Sequence, residues 1–444
     1  MGDASLIIIL TDILFILLHF FMWRVNVVLF KKQVFHPAIL FSFLWFFMIL
    51  FHFIVRHTIL EDLFQLSFST HLVFLIGVVF FTVGAFLQTI FSRGDTIKKK
   101  HPQAIEIGGL ILDERLCIAC TILVAIGLPF FIKACFNLFL LSETENFLEG
   151  VRTELCYGDV DIGPTKYFVT LSFITLALNF ILYFTSANKV LSRRLLISSI
   201  IINLIYIVFT TGRIYYMMLF AVYFGTSYIY SNSFSLKKVL LACIGFLFVF
   251  SIIGIAIYSK GGRSDNTLNE NSKSAIESIA IYAFTPLNAC GTKIDNAKPD
   301  YTGDRTLRTF KKILYQTGID RNIVVRPAIE EYVFVPYPTN VYALYGAYVA
   351  DYGKLYSWLV VAFLGFLHTM LFNNLRIYKN MRFSLYYTFM LFPLFLSFFE
   401  DQYFTLFSMW IQIIVMVEIV CFINNILNRH KLNANNISFS KNLF

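Results

Sequence analysis

The chain has 444 residues, of which 58% are hydrophobic and only 14% charged, and its mean hydropathy is +0.70. A soluble globular or disordered chain of this length carries far more charge, so the composition excludes both and indicates a protein solvated largely by lipid. The formal charge of +9 suits nucleic acid or the cytoplasmic loops of a membrane protein, and only the placement of the charges separates the two.

A helix crosses the ~30 Å hydrocarbon core with about 20 apolar residues. Eleven runs near that length follow one another: Ser5 to Leu29, Val34 to Val55, Phe68 to Phe91, Leu116 to Leu141, Lys166 to Ser186, Leu195 to Thr210, Ile214 to Tyr230, Val239 to Tyr258, Leu355 to Leu375, Phe383 to Phe399 and Tyr403 to Asn424. Runs this long and continuous exclude the short alternating strands of an outer-membrane barrel, and backbone in lipid must pair within its own segment, so helices are expected. The first run lacks a basic leader and a small-residue cleavage site and reads as a retained helix. The expected fold class is all-α and polytopic, with about 11 transmembrane helices. Helices one to eight fall in 1–258, a large partly helical outer loop in 259–354, helices nine to eleven in 355–430, and a polar, irregular cytoplasmic tail in 431–444.

Basic residues set the orientation. Nineteen Lys and Arg, the triplet Lys98-Lys99-Lys100 among them, fall on one set of alternate connections; apart from the long loop, the other set holds Arg56, Arg152, Lys166 and Arg213. That bias places the amino terminus outside and the carboxyl terminus in the cytoplasm. The acidic clusters Glu61-Asp62, Glu143 to Asp161 and Glu400-Asp401 all fall outside. The positive charge is thereby explained by topology, and nucleic acid is not expected as a partner.

In mid-chain, Thr210-Thr211-Gly212-Arg213 separates the sixth run, only about 16 residues long, from the seventh. A short helix and a tight turn hold Arg213 at the outer surface, at a helix N-terminus. There it serves either as part of an anion clamp, together with free N–H groups, or as an arginine reaching to lipid headgroups.

The long outer loop is the segment where chemistry is expected, because loops on a rigid scaffold often carry function. Ser274 to Phe284 reads as an apolar helix, and Thr306 to Tyr315 as a basic amphipathic one, with Leu307, Phe310 and Leu314 on one stripe and Arg308, Lys311 and Lys312 on another. Such a helix lies on anionic headgroups or cradles a lipid-linked phosphate. Beyond it, Pro336-Tyr337-Pro338-Thr339-Asn340 predicts an extended approach to a short helix carrying Tyr342, Tyr345 and Tyr348. Tyrosines suit a sugar site and a membrane interface equally.

Thr211-Gly212-Arg213 opening a span, the large loop after the following span, and Pro338-Thr339-Asn340-Val341-Tyr342 with Asp351-Tyr352-Gly353 ahead of the next helix resemble the Wzy-type O-antigen polymerases, the oligosaccharide repeat-unit polymerases. The resemblance implies a GT-C-like helical fold in the inner membrane of Gram-negative bacteria. It also implies a glycosyltransferase that joins undecaprenyl-diphosphate-linked oligosaccharide units on the periplasmic face, with no nucleotide sugar. Membrane lipids and a chain-length regulator protein would be its further partners. An O-antigen ligase and a polysaccharide flippase or transporter are the alternative functions.

Transfer from a polyprenyl diphosphate needs charge stabilisation on the leaving group and a base for the incoming hydroxyl. The outer face offers Arg213, Arg263, Arg305, Arg308, Arg321 and Arg326 for the first task and Asp265, Asp304, Glu330, Glu331, Asp351 and Glu400 for the second. Glu331 and Asp351, flanking the tyrosine-rich segment, are favoured as catalytic carboxylates beside Arg213. Arg263, Arg305, Arg308, Lys311, Lys312, Arg326, Asn340, Tyr342 and Tyr345 are the expected substrate contacts. No cofactor and no metal are expected: Asp159-Val160-Asp161 reads as a solvated turn, and Cys117 and Cys120 as helix packing.

Overall fold

The fold comes from a computed structural model describing residues 2–31, 33–96, 112–157, 162–212, 214–231, 268–327, 330–378 and 380–441. The expected eighth span, Val239 to Tyr258, lies outside these residues, as do Arg213, Arg263, Asp265 and the Asp159 to Asp161 turn. The described chain is mostly helical: α1 Gly2–Leu29, α2 Pro37–Thr58, α3 Phe68–Thr96, α4 Glu114–Leu141, α5 Phe147–Tyr157, α6 Lys166–Thr185, α7 Lys189–Thr210, α8 Ile214–Tyr230, α9 Leu268–Asp295, α10 Arg308–Gln316, α11 Ala343–Tyr378, α12 Met381–Phe395 and α13 Phe407–Lys441. Eight of these helices are long and apolar enough to cross a membrane, in keeping with a multi-pass membrane protein. The other two expected spans among the described residues, α8 at 17 residues and α12 at 15, are shorter.

Three expectations change. The sixth span is not short: α7 has 22 residues, because the Asn188 side chain accepts a hydrogen bond from Leu191 N (3.1 Å) and starts the helix at Lys189, well before Leu195. The argument from a short helix to a surface Arg213 therefore falls. The tail is helical to Lys441, since no proline or glycine interrupts the sequence after Phe407. Two short strands, β1 Val333–Phe334 and β2 Pro338–Thr339, pair antiparallel where only an extended approach was expected.

The chain forms two compact units. The second comprises His101–Phe250, Leu375–Leu391 and Ser408–Phe444. Polar side chains tie its helices where lipid offers no competing partner: Asn179 Nδ2 donates to Thr121 Oγ1 (3.0 Å), Asn203 Nδ2 to Ser172 Oγ (2.8 Å) and Tyr206 Oη to Val124 O (2.9 Å).

The first unit comprises Met1–Lys100, Ser251–Asn374 and Phe392–Phe407. Here α3 and α11 meet backbone to backbone. A Cβ on Gly84 would collide with the Ala362 carbonyl, and one on Gly365 with that of Phe81, so two small residues set the approach. At Gly353 (φ 74°, ψ 175°) α11 bends through a conformation that favours glycine. The bend releases the carbonyls of Ala350 and Asp351, which accept from Asp300 N (3.3 Å) and Tyr301 N (2.9 Å). The segment between α9 and α10 is thereby stitched to α11 at its bend.

Candidate functional site

A cleft in the first unit is lined by Lys293 from α9, Arg305, Arg308, Arg326, Pro327 and Glu330 from the segment between α9 and α11, Tyr342 and Ala347 at the start of α11, and Glu400, Asp401 and Thr405 from the connection ahead of α13. It holds about 510 Å³ of empty space, its open mouth included.

Asp351 is its foundation. Fully buried, its carboxylate accepts from Arg305 Nη1 (3.0 Å), Arg305 N (3.1 Å), Thr306 N (2.9 Å) and Thr306 Oγ1 (2.9 Å). An acceptor so fully engaged is a good anchor. It fixes Arg305, which also reaches Glu330 (Nε to Oε1, 3.0 Å). The other Glu330 oxygen takes the Lys293 ammonium at 2.8 Å, and that ammonium stands 3.5 Å from the centre of the Tyr342 ring. Burial is the largest influence on both partners. It draws Lys293 below the usual lysine range against the opposing pull of Glu330; for Glu330 it acts upward, but the Lys293 and Arg305 charges outweigh it and hold the carboxyl low.

Arg308 opens α10, and its Nε donates to the Arg326 carbonyl at 2.9 Å. Arg326 itself reaches Asp304 and Asp300 at 3.4 Å each. The long contacts of Arg326 to partly exposed carboxylates, and the neutral carbonyl that Arg308 meets, leave both guanidiniums able to take an anion.

Opposite the cations stand two acids. Burial first, then the adjacent Asp401 carboxylate, pushes Glu400 up to about 8, although a hydrogen bond from Gln402 Nε2 (3.0 Å) opposes this. Burial also pushes Asp401 up to about 6, against hydrogen bonds from Tyr348 Oη (2.8 Å) and Tyr403 N (3.0 Å). Asp401 spends its oxygens on local structure, whereas Glu400 sits on the cleft wall with a carboxyl poised to exchange a proton near neutrality.

Of the expected residues, Arg305, Arg308, Arg326 and Tyr342 come together here. Glu331 does not take part: its side chain is exposed, and only its carbonyl is used, accepting from Tyr342 Oη at 2.8 Å. Asp351 anchors the cleft without lining it. Lys311 pairs with Asp304, Lys312 points to solvent, and Asn340 is not in the lining. Tyr345 is a core residue, wholly buried against Trp45 (5.1 Å between ring centres) and Phe74 (5.4 Å). Lys293 carried no signal in the sequence. Glu400 and Asp401 did: an acidic pair inside the aromatic run Phe398-Phe399 to Tyr403-Phe404 is costly unless it is used.

No protein-family model, no curated protein and no solved structure matches the chain.

Proposed function

We propose that the chain is a metal-independent glycosyltransferase of the Wzy polymerase type, with a GT-C-like arrangement of its helices, joining polyprenyl-diphosphate-linked oligosaccharides on the outer face of the bacterial inner membrane. The observation that carries this reading is one cleft in which Arg308 and Arg326 stand with Glu400, whose carboxyl is pushed up to about 8. Substitution at a sugar carbon with a diphosphate leaving group needs an anion clamp and a proton acceptor side by side.

In this mechanism Arg308 and Arg326 hold the diphosphate of the donor, and Lys293 and Arg305 extend the positive wall. The acceptor hydroxyl attacks the anomeric carbon, the carbon–oxygen bond to the diphosphate breaks, and the hydroxyl proton passes to Glu400. Charge that develops on the departing diphosphate meets guanidinium groups that need no rearrangement, because the Asp351 anchor sets Arg305 and the carbonyl of Arg326 sets Arg308. Tyr342 offers a ring edge to a sugar, its face being occupied by Lys293.

Purified protein incubated with lipid-linked repeat units tests the reading. Growth of a glycan ladder is expected. Transfer to a lipid A core acceptor instead would assign a ligase, and movement of the lipid without any bond formed would assign a transporter.

A further inference from the structure

Away from the cleft, α1 carries a polar file. Its Leu and Ile side chains at 6, 7, 10, 13, 14 and 17 are exposed, whereas Asp12, His19 and Asn26 are 5%, 0% and 0% exposed. Residues seven apart lie two turns apart on one face, so the file runs ~21 Å along the helix at 1.5 Å per residue, about two-thirds of the ~30 Å hydrocarbon core. Facing it on α3 are His71, whose Nε2 is 2.9 Å from Asp12 Oδ1, and Thr82, which accepts from Asn26 Nδ2 at 3.0 Å. From α2, Arg56 Nη1 reaches Asp12 Oδ2 at 3.4 Å, and His52 bonds Asn288 of α9 at 2.9 Å. The ring of Phe15 stacks on His71, 4.8 Å between centres.

These contacts assign the hydrogens. His19 Nδ1 lies 2.9 Å from the Phe15 carbonyl and His71 Nε2 2.9 Å from the Asp12 carboxylate; a carbonyl and a carboxylate accept, so these two nitrogens donate, and in the neutral form of each ring the other nitrogen is an acceptor. Thr82 gives its hydroxyl hydrogen to Val78 O (2.9 Å), so it can only accept from Asn26 Nδ2, which leaves Asn26 Oδ1 as an acceptor too. His71 Nδ1, His19 Nε2 and Asn26 Oδ1 are buried and have no hydrogen-bond partner among the described residues. All three lack the same thing, a donor. Helix association by direct hydrogen bonds would consume these atoms rather than orient three acceptors into one seam, and lipid has no donor to give.

We propose that the seam between α1 and α3 is a binding site for water and an excess proton, in which a water bridges His71 Nδ1 and His19 Nε2 and Asp12 balances the charge. Water supplies two donors to the two ring acceptors. A hydronium ion from the outer solution transfers its proton to one imidazole and becomes the bridging water. The imidazolium formed has Asp12 for its counter-ion, and Arg56 at the outer end bounds the site. Ionisable groups held inside a membrane protein at this depth commonly mark proton or ion routes.

The test uses the full chain in lipid nanodiscs with 15N-labelled histidine. Ring signals are assigned through backbone connections in the wild-type protein, and solid-state NMR reads magnetisation transfer from water and ring protonation between pH 8 and pH 5. We expect His19 and His71 to receive magnetisation from water as quickly as exposed His57, and one of the pair to become imidazolium as the pH falls. In Asp12→Asn that protonation should move at least tenfold in proton concentration towards acid. Rings that receive nothing from water, or that stay neutral to pH 5, overturn the proposal, and both readings are made on wild-type protein whatever the variant's folding.

Discussion

Asp351 and Arg305, 46 residues apart in the chain, form the buried contact on which the long loop between α9 and α11 is built: one carboxylate takes the guanidinium at 3.0 Å and the main-chain N–H groups of Arg305 and Thr306. Asp351→Asn puts an NH₂ where donors already converge and leaves Arg305 short of its counter-charge. Breaking a buried pair of this kind costs about 3–5 kcal/mol. The variant is expected to melt several degrees below wild type and to lose transfer activity with it, whereas a purely catalytic carboxylate would cost activity alone. Thermal unfolding of detergent-purified protein beside the transfer assay checks this.

Glu400→Gln should behave in the opposite way. Losing a general base lowers the rate about 10²- to 10⁴-fold with the fold intact. In the wild type, transfer should rise with pH as Glu400 ionises near 8. Stability runs the other way: a carboxyl raised above its unfolded value binds its proton more tightly when folded, so folding stability declines as pH climbs from the ordinary Glu range through 8. Glu400→Gln should therefore melt above wild type at pH 9 and level with it at pH 5.

The basic residues of α10 should separate by role. Arg308 lines the cleft, Lys311 is paired with Asp304 and Lys312 is exposed. Arg308→Gln is expected to weaken binding of a lipid diphosphate roughly thirty- to a thousandfold, the ~2–4 kcal/mol of a charge-assisted contact in a dry site. Lys312→Gln should bind within about twofold of wild type, as a solvated charge outside the site would. Equilibrium binding to nanodiscs carrying the lipid reads both.

Gly84 and Gly365 set the approach of α3 and α11. Gly84→Leu is expected to prevent that packing, since a side chain would have to displace the Ala362 carbonyl, and to abolish a monodisperse peak in size-exclusion chromatography. Gly84→Leu protein eluting like wild type would show that the two helices tolerate separation.

The sequence by itself determined that the chain is mostly helical, with helices long and apolar enough to cross a membrane. In lipid a backbone must satisfy its own hydrogen bonds, and apolar runs such as Phe68 to Phe91 leave no other solution, so α3 appears where hydropathy put it. It also picked out Arg305, Arg308, Arg326 and Tyr342, which line one cleft in the structure. Local pattern was weaker at boundaries, where a single cap such as Asn188 lengthened α7. Only the tertiary structure distinguished the surroundings of the candidate carboxylates. Whether a carboxylate can serve as an anchor, a solvated group or a base depends on how many donors and how much water surround it, and those donors come from distant segments: Arg305 and Thr306 engage Asp351, Lys293 claims Glu330, Glu331 is left to solvent, and Glu400 stands half-buried on the cleft wall beside Asp401. Asp12, His19 and Asn26 are visible as a seven-residue repeat in α1, but their meaning waited on His71 and Thr82, because a polar file inside a membrane is defined by what faces it.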